Sequence, residues 1–295
     1  MYSQITANKR KTWLLIAIFT VVILAAGYAF GEYAGIGYGG LAFAAIVSLT
    51  MTLFSYFAGD KVALATAGAK LVDQQQNPYL CRMVENLAIT AGLPMPRVYV
   101  INDGAINAFA TGRDPHHASV AVTTGAMEKL ENEELEGVLA HELSHIGNYD
   151  IRLMTMVIVL VGLATLLSDL FFRARWFHGS RGRSDSRGGS GIILVIGMIA
   201  LILAPILGKL IQLAVSRKRE FLADASGALL TRYPEGLARA LEKIGAVNVA
   251  PMRGAHEATA HLYISSPFGA GNRVAKLFST HPPLQERIKV LRQMA

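Results

Sequence analysis

Residues 131–148 read ENEELEGVLAHELSHIGN, and the rest of the chain is organised around this stretch. Four glutamates crowd its first turns, where the helix dipole favours negative charge, and Gly147-Asn148 is a typical helix end. The stretch therefore predicts one amphipathic α-helix with H-E-x-x-H at its centre.

The H-E-x-x-H motif places two imidazoles on one face of that helix. His141 and His145 are four residues apart, so their side chains lie one above the other and can reach a single metal ion. Glu142 points to the side of the metal, where its carboxylate can take a proton from the attacking water. The pattern predicts a zinc site with Glu142 as the general base.

The composition divides the chain between a membrane and an aqueous domain. Of its 295 residues, 52% are hydrophobic and 17% are charged, and the mean hydropathy of +0.37 is too high for an ordinary soluble enzyme. The net charge of +7 comes from basic residues beside apolar runs, which argues against a nucleic-acid partner. The single cysteine, Cys81, excludes a cysteine-based zinc site and is expected to be a small buried residue.

Four runs with almost no charge are long enough to form hydrophobic helices. The first two are expected to form a hairpin, and Pro205 is expected to kink the fourth. A loop rich in Gly, Ser and Arg, residues 173–191, joins the third run to the fourth. The runs are residues 12–30, 35–59, 153–172 and 192–215.

Basic residues predict the orientation of the first hairpin. The cluster at residues 9–11 precedes it, and Lys61 and Lys70 follow it, which places the N-terminus and the next domain in the cytoplasm. If the third and fourth runs both cross, the arginines of residues 173–191 lie outside, against this preference. The alternative is a shallow hairpin that does not cross, and either arrangement returns the chain to the same side.

Residues 60–150 have the pattern of a soluble α+β domain. Apolar residues recur at helical spacing from Leu80 to Ala91, and residues 92–96 break that helix. An exposed edge strand in such a domain can bind an extended peptide through its backbone. Three short runs predict a small antiparallel sheet, at residues 97–101, 105–111 and 118–124.

A second acidic pair follows the fourth apolar run. Glu220 and Asp224 share one face of a helix predicted for residues 216–228. A hydrolytic zinc site needs three protein ligands and an open position, and Glu220 is the candidate third ligand. Asp224 is placed to accept a hydrogen bond from a ligand histidine. The alternative is an exposed acidic face that pairs with nearby arginines.

Four motifs together resemble one family, the HtpX-type membrane-bound zinc metalloproteases, which are relatives of the CAAX prenyl endopeptidases. The motifs are HELSH at 141–145, SRKREFLAD at 216–224, NAFATG at 107–112 and THPPLQER at 280–287. The resemblance covers essentially the whole chain. It implies a mainly α integral membrane protein with a cytosolic, zincin-like (gluzincin) α+β catalytic domain.

The same resemblance implies the ligands, the cofactor and the biological role. One zinc ion per chain is held by His141, His145 and Glu220, and the strand around Asn107, Ala108 and Phe109 lines the substrate groove. The implied activity is endopeptidase cleavage of misfolded or damaged membrane proteins, in quality control and stress response. The implied location is the bacterial cytoplasmic membrane.

The remaining histidines carry less information. His281 precedes a closing helix whose apolar face is Leu284, Ile288 and Leu291, with Arg287, Lys289 and Arg292 expected to point outward. His281 is a candidate donor to the oxyanion, as the resemblance suggests, but it can equally cap that helix. His116-His117 reads as a solvated loop, and His256 and His261 are expected at the surface.

We divide the chain into a transmembrane hairpin (1–59), the first part of the catalytic domain (60–150), a second hydrophobic pair (151–215) and the second part of the catalytic domain (216–295). The predicted function is a membrane-bound zinc endopeptidase. Two alternatives are a CAAX-type prenyl-protein endopeptidase and a non-catalytic membrane scaffold with a structural zinc. The expected partners are protein or peptide substrates and lipid, and the oligomeric state is not predicted.

Overall fold

The computed structural model describes residues 2–158, 217–247, 251–252, 259–268 and 282–294, and within them the protein is mainly helical. Short 3-10 turns occur at Pro115–His117 and Ala260–Leu262. In chain order the elements are α1 (Tyr2–Ala34), α2 (Tyr38–Thr66), β1 (Lys70–Leu71), α3 (Pro78–Ala91), β2 (Arg97–Ile101), β3 (Ala108–Gly112), β4 (Ala118–Thr123), α4 (Thr124–Lys129), α5 (Asn132–Gly147), α6 (residues 150–158), α7 (Arg217–Thr231), α8 (Pro234–Val247) and α9 (Leu284–Arg292).

Helices α1 and α2 form the predicted hairpin, and both are long and apolar enough to cross a membrane. They approach closely at Gly40, and this approach needs glycine because a Cβ atom there would collide with the backbone of Gly27 and Gly31. The second helix begins three residues later than the apolar run and continues past its end. Its last turns belong to the aqueous domain, since Asp60 binds Arg97 at 2.8 Å.

Helix α6 contains the first residues of the third apolar run and lies alongside α2. Residues 153–158 are buried, and the hydroxyl of Ser55 donates to the carbonyl oxygen of Met156 at 3.3 Å. The remainder of the third run, the fourth run and the loop at 173–191 lie outside the described residues. The prediction of four hydrophobic helices is therefore tested for the first two alone.

The four strands form one mixed sheet in the order β1-β2-β4-β3. β2 and β4 are parallel, whereas β3 is antiparallel to β4. The prediction of an antiparallel sheet is correct for the pairings β1–β2 and β3–β4 and wrong for β2–β4. After β2 the chain skips one strand position to form β3, and β4 then fills the slot between them. Hydrophobic alternation shows that a segment is a strand but not the direction of its neighbours, so this order was hidden in the sequence.

Helix α5 lies at the centre of the aqueous domain and packs against α3, α7, α8 and β3. Its apolar residues, among them Leu139 and Leu143, join one buried cluster with residues of the sheet and of α8. Gly137 lies where α5 and α8 touch. A Cβ atom there would lie 2.7 Å from the backbone nitrogen of Leu237, so only glycine permits this approach.

Replacing Gly137 with alanine tests that contact. Because the new methyl group would meet backbone rather than a flexible side chain, we expect overpacking to cost about 1–3 kcal/mol of unfolding free energy. Gly147→Ala in the same helix is the control, since a Cβ there meets only the Leu93 side chain at 3.8 Å. Thermal unfolding in detergent measures both variants, and equal midpoints would contradict the packing described.

Candidate metal centre

The predicted site helix is present as α5, and its ends are fixed by local hydrogen bonds. The backbone N–H of Glu131 donates to the buried carboxylate of Glu134 at 2.8 Å, which satisfies a donor at the helix start. Lys243 of α8 binds the same carboxylate at 2.7 Å. The backbone N–H of Asn148 donates back to Ser144 at 3.0 Å and ends the helix. The position of α5 is thus fixed at both ends.

Helix α7 brings the second half of the site against α5. Gly227 makes this possible, because a Cβ atom there would lie 3.0 Å from the backbone nitrogen of His141. The close approach carries Glu220 and Asp224, on one face of α7, towards the two histidines. Both carboxylates are buried, at 1% exposure each, so the alternative of an exposed acidic face is wrong.

His141, His145 and Glu220 converge on one point. The Nε2 atoms of the two histidines are 3.2 Å apart, and each lies 3.8 Å from an oxygen of Glu220. Among the described residues, this trio is the one cluster of histidine, cysteine or carboxylate groups that could hold a metal ion, with its atoms within 4.8 Å of one another. The structure therefore brings together His141 and Glu220, which are 79 positions apart in the sequence.

Two aspartates fix which nitrogen of each histidine carries the proton. Asp224 lies 3.0 Å from Nδ1 of His141, and Asp150 lies 3.1 Å from Nδ1 of His145. An ionised carboxylate only accepts hydrogen bonds, so each Nδ1 donates and each Nε2 presents a lone pair to the centre. Asp224 was expected here. Asp150 was not, although its place just beyond the end of α5 would have allowed the suggestion.

The donor set fits a zinc ion. Two imidazole lone pairs and a carboxylate face one another in a buried space, where they repel unless a cation lies between them. Tetrahedral zinc with Zn–N bonds of about 2.0–2.1 Å separates two ligand nitrogens by about 3.3 Å, close to the 3.2 Å between the two Nε2 atoms. The two histidines thus already have the spacing that a shared zinc ion requires.

The charges around the trio favour a cation as well. Burial lowers the pKa of His145, but Asp150, Glu220 and Glu142 outweigh it and raise the pKa to about 9. Burial, reinforced by Glu220, raises the pKa of Glu142 to about 7. Without a metal ion the pocket therefore stabilises a positive charge at Nε2 of His145, and Glu142 is poised to exchange a proton near neutral pH.

Arg287 is a component of the site that the sequence interpretation placed wrongly. It was expected to point outward from α9 but is fully buried. Its guanidinium donates to Asp224 at 2.6 and 2.8 Å and to the carbonyl of Ile264 at 3.2 Å. Burial opposes ionisation of Asp224, yet Arg287 and His141 hold the pKa of that carboxyl well below its usual range. Arg287 thus keeps Asp224 charged and oriented towards His141.

The predicted groove residues lie at the start of β3, whose Ala110 contacts Glu142. β3 is the last strand of the sheet, and the backbone N–H of Ala110 donates to Glu142. Asn107, Ala108 and Phe109 are buried, at 1%, 0% and 0% exposure. The amide of Asn107 donates to the carbonyl of Ser265 at 3.1 Å. These side chains anchor the strand, and the Ala108 carbonyl accepts from the Ile264 N–H at 3.0 Å.

Of the other histidines, some lie where the sequence predicted and one does not. His281 and His256 lie outside the described residues. His116 and His117 are exposed, and His117 pairs with Asp114 at 2.8 Å. His261, expected at the surface, is buried, and its Nε2 lies 3.0 Å from the carbonyl oxygen of Met154. That surface prediction is wrong because an isolated histidine gives no sequence sign of a buried backbone partner.

An H-E-x-x-H helix, a carboxylate from a later helix and a buried glutamate beside the metal position define a zincin-like metal-dependent hydrolase. Comparison with known proteins agrees with that class. The family model described as Peptidase family M48 matches residues 74–295. The chain therefore belongs to peptidase family M48.

Two full-length relatives carry the name protease HtpX homolog. The one from Caldanaerobacter subterraneus is 48% identical over 296 residues, covering 100% of this chain and 98% of the relative. The one from Streptococcus pneumoniae strain R6 is 44% identical over 301 residues, covering 100% of both. With the two long apolar helices, these findings make the chain a membrane-bound metalloprotease, as the resemblance implied.

A solved structure shows that the fold is shared more widely. The crystal structure of S. mikatae Ste24p superposes with a TM-score of 0.50 at 17% identity, covering 99% of this chain and 67% of that one. At this identity the likeness concerns the fold alone.

Substituting Asp150 tests its role as the partner of His145. Asp150→Asn removes the charge that fixes the Nδ1 proton, so we expect zinc affinity to fall by roughly 10–100-fold. Asp114→Asn is the matched control, because Asp114 also pairs with a histidine, His117, but at an exposed position. Zinc titration against a competing chelator measures both, and equal affinities in the two variants would remove Asp150 from the metal centre.

Proposed function

We propose that this protein is a zinc endopeptidase of the bacterial cytoplasmic membrane that cleaves misfolded or damaged membrane proteins on the cytoplasmic side. The observation that carries the proposal is the buried trio of His141, His145 and Glu220, with Glu142 beside it. Family membership supports peptide hydrolysis, and the membrane hairpin attached to the catalytic domain supports substrates near the bilayer.

The proposed chemistry assigns each group one task. Zinc bound by the trio would supply Lewis-acid activation of a water molecule and polarise the scissile carbonyl. Glu142 accepts the proton from the attacking water and returns it to the leaving amine. Burial raises the pKa of Glu142 in the metal-free site, which makes its carboxylate a stronger base than an exposed glutamate. Asp224 and Asp150 hold the imidazoles in place throughout.

The edge of the sheet supports the proposal for substrate binding. Among the described residues β3 has one neighbouring strand, β4. On its other side the Ala108 carbonyl accepts from the Ile264 N–H at 3.0 Å, and the Ala110 N–H donates to Glu142. An extended peptide that adds to this edge would bring a backbone carbonyl towards the metal position. We propose that the segment around Asn107, Ala108 and Phe109 serves this edge by holding β3 in place, since its side chains are buried and its Ala108 carbonyl is bonded to Ile264.

The contacts between hairpin and domain support a cytoplasmic active site. The N-terminal turns of α1 touch the loop that follows α5, where Lys9 lies 4.4 Å from the ring centre of Tyr149. Arg152 lies 5.7 Å from that of Tyr56 in α2. The basic flank and the catalytic domain are thus at the same end of the hairpin, and positively charged flanks favour the cytoplasm.

Each of the two alternatives makes a distinguishable claim. A non-catalytic scaffold would bind zinc without hydrolysing any protein. A CAAX-type enzyme would require a prenylated substrate, and no described residue favours one. Cleavage of an unprenylated, denatured membrane protein that is abolished by a chelator would exclude both.

The proposed function makes a first prediction, about catalysis. Glu142→Gln keeps the size of the side chain and leaves the trio intact, so zinc should still bind. Gln cannot accept the proton, so we expect the cleavage rate to fall by about 10²–10⁴. Glu133→Gln, an exposed change in the same helix, should leave the rate unchanged. A zinc-loaded Glu142→Gln protein with the parent's rate would refute the proposed mechanism.

The proposed function makes a second prediction, about membrane topology. His141 and Glu220 meet in space although two apolar runs separate them in sequence. Reporter domains fused after Asn148 and after Arg232 should therefore report the same side, and the basic flanks predict the cytoplasm. Reporters on opposite sides would be incompatible with a single site made of both halves.

A further inference from the structure

Asn8, in the first turns of the membrane helix α1, reaches the loop behind the metal centre. It is buried, at 1% exposure. Its amide nitrogen donates to Asp150 Oδ1 at 2.7 Å and to the carbonyl oxygen of Asn148 at 2.9 Å. These contacts join positions 142 and 140 residues apart in sequence.

Asp150 is the residue through which Asn8 reaches the site. One oxygen of Asp150, Oδ2, faces Nδ1 of His145 at 3.1 Å. The other, Oδ1, accepts from Asn8 at 2.7 Å and from Arg219 at 3.4 Å. The bond from Asn8 is the shorter of these two. Because a carboxylate is planar, holding Oδ1 also fixes the direction in which Oδ2 meets the imidazole.

We propose that Asn8 is a positioning residue for the metal centre, so that the first membrane helix takes part in setting metal affinity. The inference rests on the proposed zinc site. The amide of Asn8 orients Asp150, and Asp150 orients His145 with its lone pair towards the shared centre. The metal site is then fully formed only when α1 is docked against the catalytic domain.

A simpler role is that Asn8 only docks α1, by donating to the buried carbonyl oxygen of Asn148. Docking alone would change the stability of the protein but not the affinity or the ligand field of the metal in the folded state. If Asn8 acts through Asp150, its substitution would change both the affinity and the ligand field of the metal. This effect would disappear once Asp150 could no longer orient His145. Metal binding by the 295-residue chain in detergent separates the two roles.

The test variants are Asn8→Leu, which keeps the size of the side chain, and Asn8→Ala, in case the leucine variant does not fold. We expect zinc affinity to fall roughly 3–10-fold, less than the 10–100-fold typical of a direct partner of a ligand. The visible spectrum of the cobalt-substituted protein should shift as well. Thr12→Val is the matched control, one turn further along α1, because its hydroxyl donates only to the Asn8 carbonyl at 3.0 Å.

A double-mutant cycle gives the decisive comparison. In an Asp150→Asn background, Asn8→Leu should lower zinc affinity no further, because the two residues act in series. Additive losses, or an unchanged zinc affinity and cobalt spectrum together with a lower melting temperature, would overturn the proposal. Failure of the parent protein to bind zinc would instead refute the proposed metal site itself.

Discussion

Three buried groups that can each direct a lone pair to one point impose the main constraint on this structure. Nε2 of His141 and Nε2 of His145 lie 3.2 Å apart and face Glu220, while both Nδ1 atoms are committed to carboxylates. Such a set is stable in a low-dielectric interior only around a cation. The surrounding carboxylates stabilise that cation, and two buried arginines, Arg287 and Arg219, pair with Asp224 and Asp150.

The rest of the fold holds these three side chains in position relative to one another. α5 supplies two of them and is fixed by the cap at Glu131 and by a glycine contact with α8. α7 supplies the third because Gly227 allows it to lie against α5. The outer carboxylates are held from two distant parts of the chain, Asp224 by Arg287 near the C-terminus and Asp150 by Asn8 near the N-terminus. A membrane helix and a terminal helix therefore meet at one centre.

Sequence reasoning succeeded where the information is local. The helical period, the H-E-x-x-H spacing and the acidic pair at Glu220 and Asp224 predicted the helices that the structure shows and the residues it brings together. It failed where a partner is chosen by tertiary packing. The burial of Arg287 depends on which elements become neighbours, and no spacing rule encodes that choice. The parallel pairing of β2 with β4 was missed for the same reason.

The measurement that tests the central claim most directly is zinc K-edge X-ray absorption on the purified protein. The account predicts nitrogen and oxygen neighbours at about 2.0–2.2 Å with the outer-shell scattering of two imidazoles, and no sulfur at about 2.3 Å. A sulfur neighbour would have to be supplied by Cys81, the one cysteine in the chain, or by a methionine. A sulfur shell, or the signature of a single imidazole, would contradict the site formed by His141, His145 and Glu220.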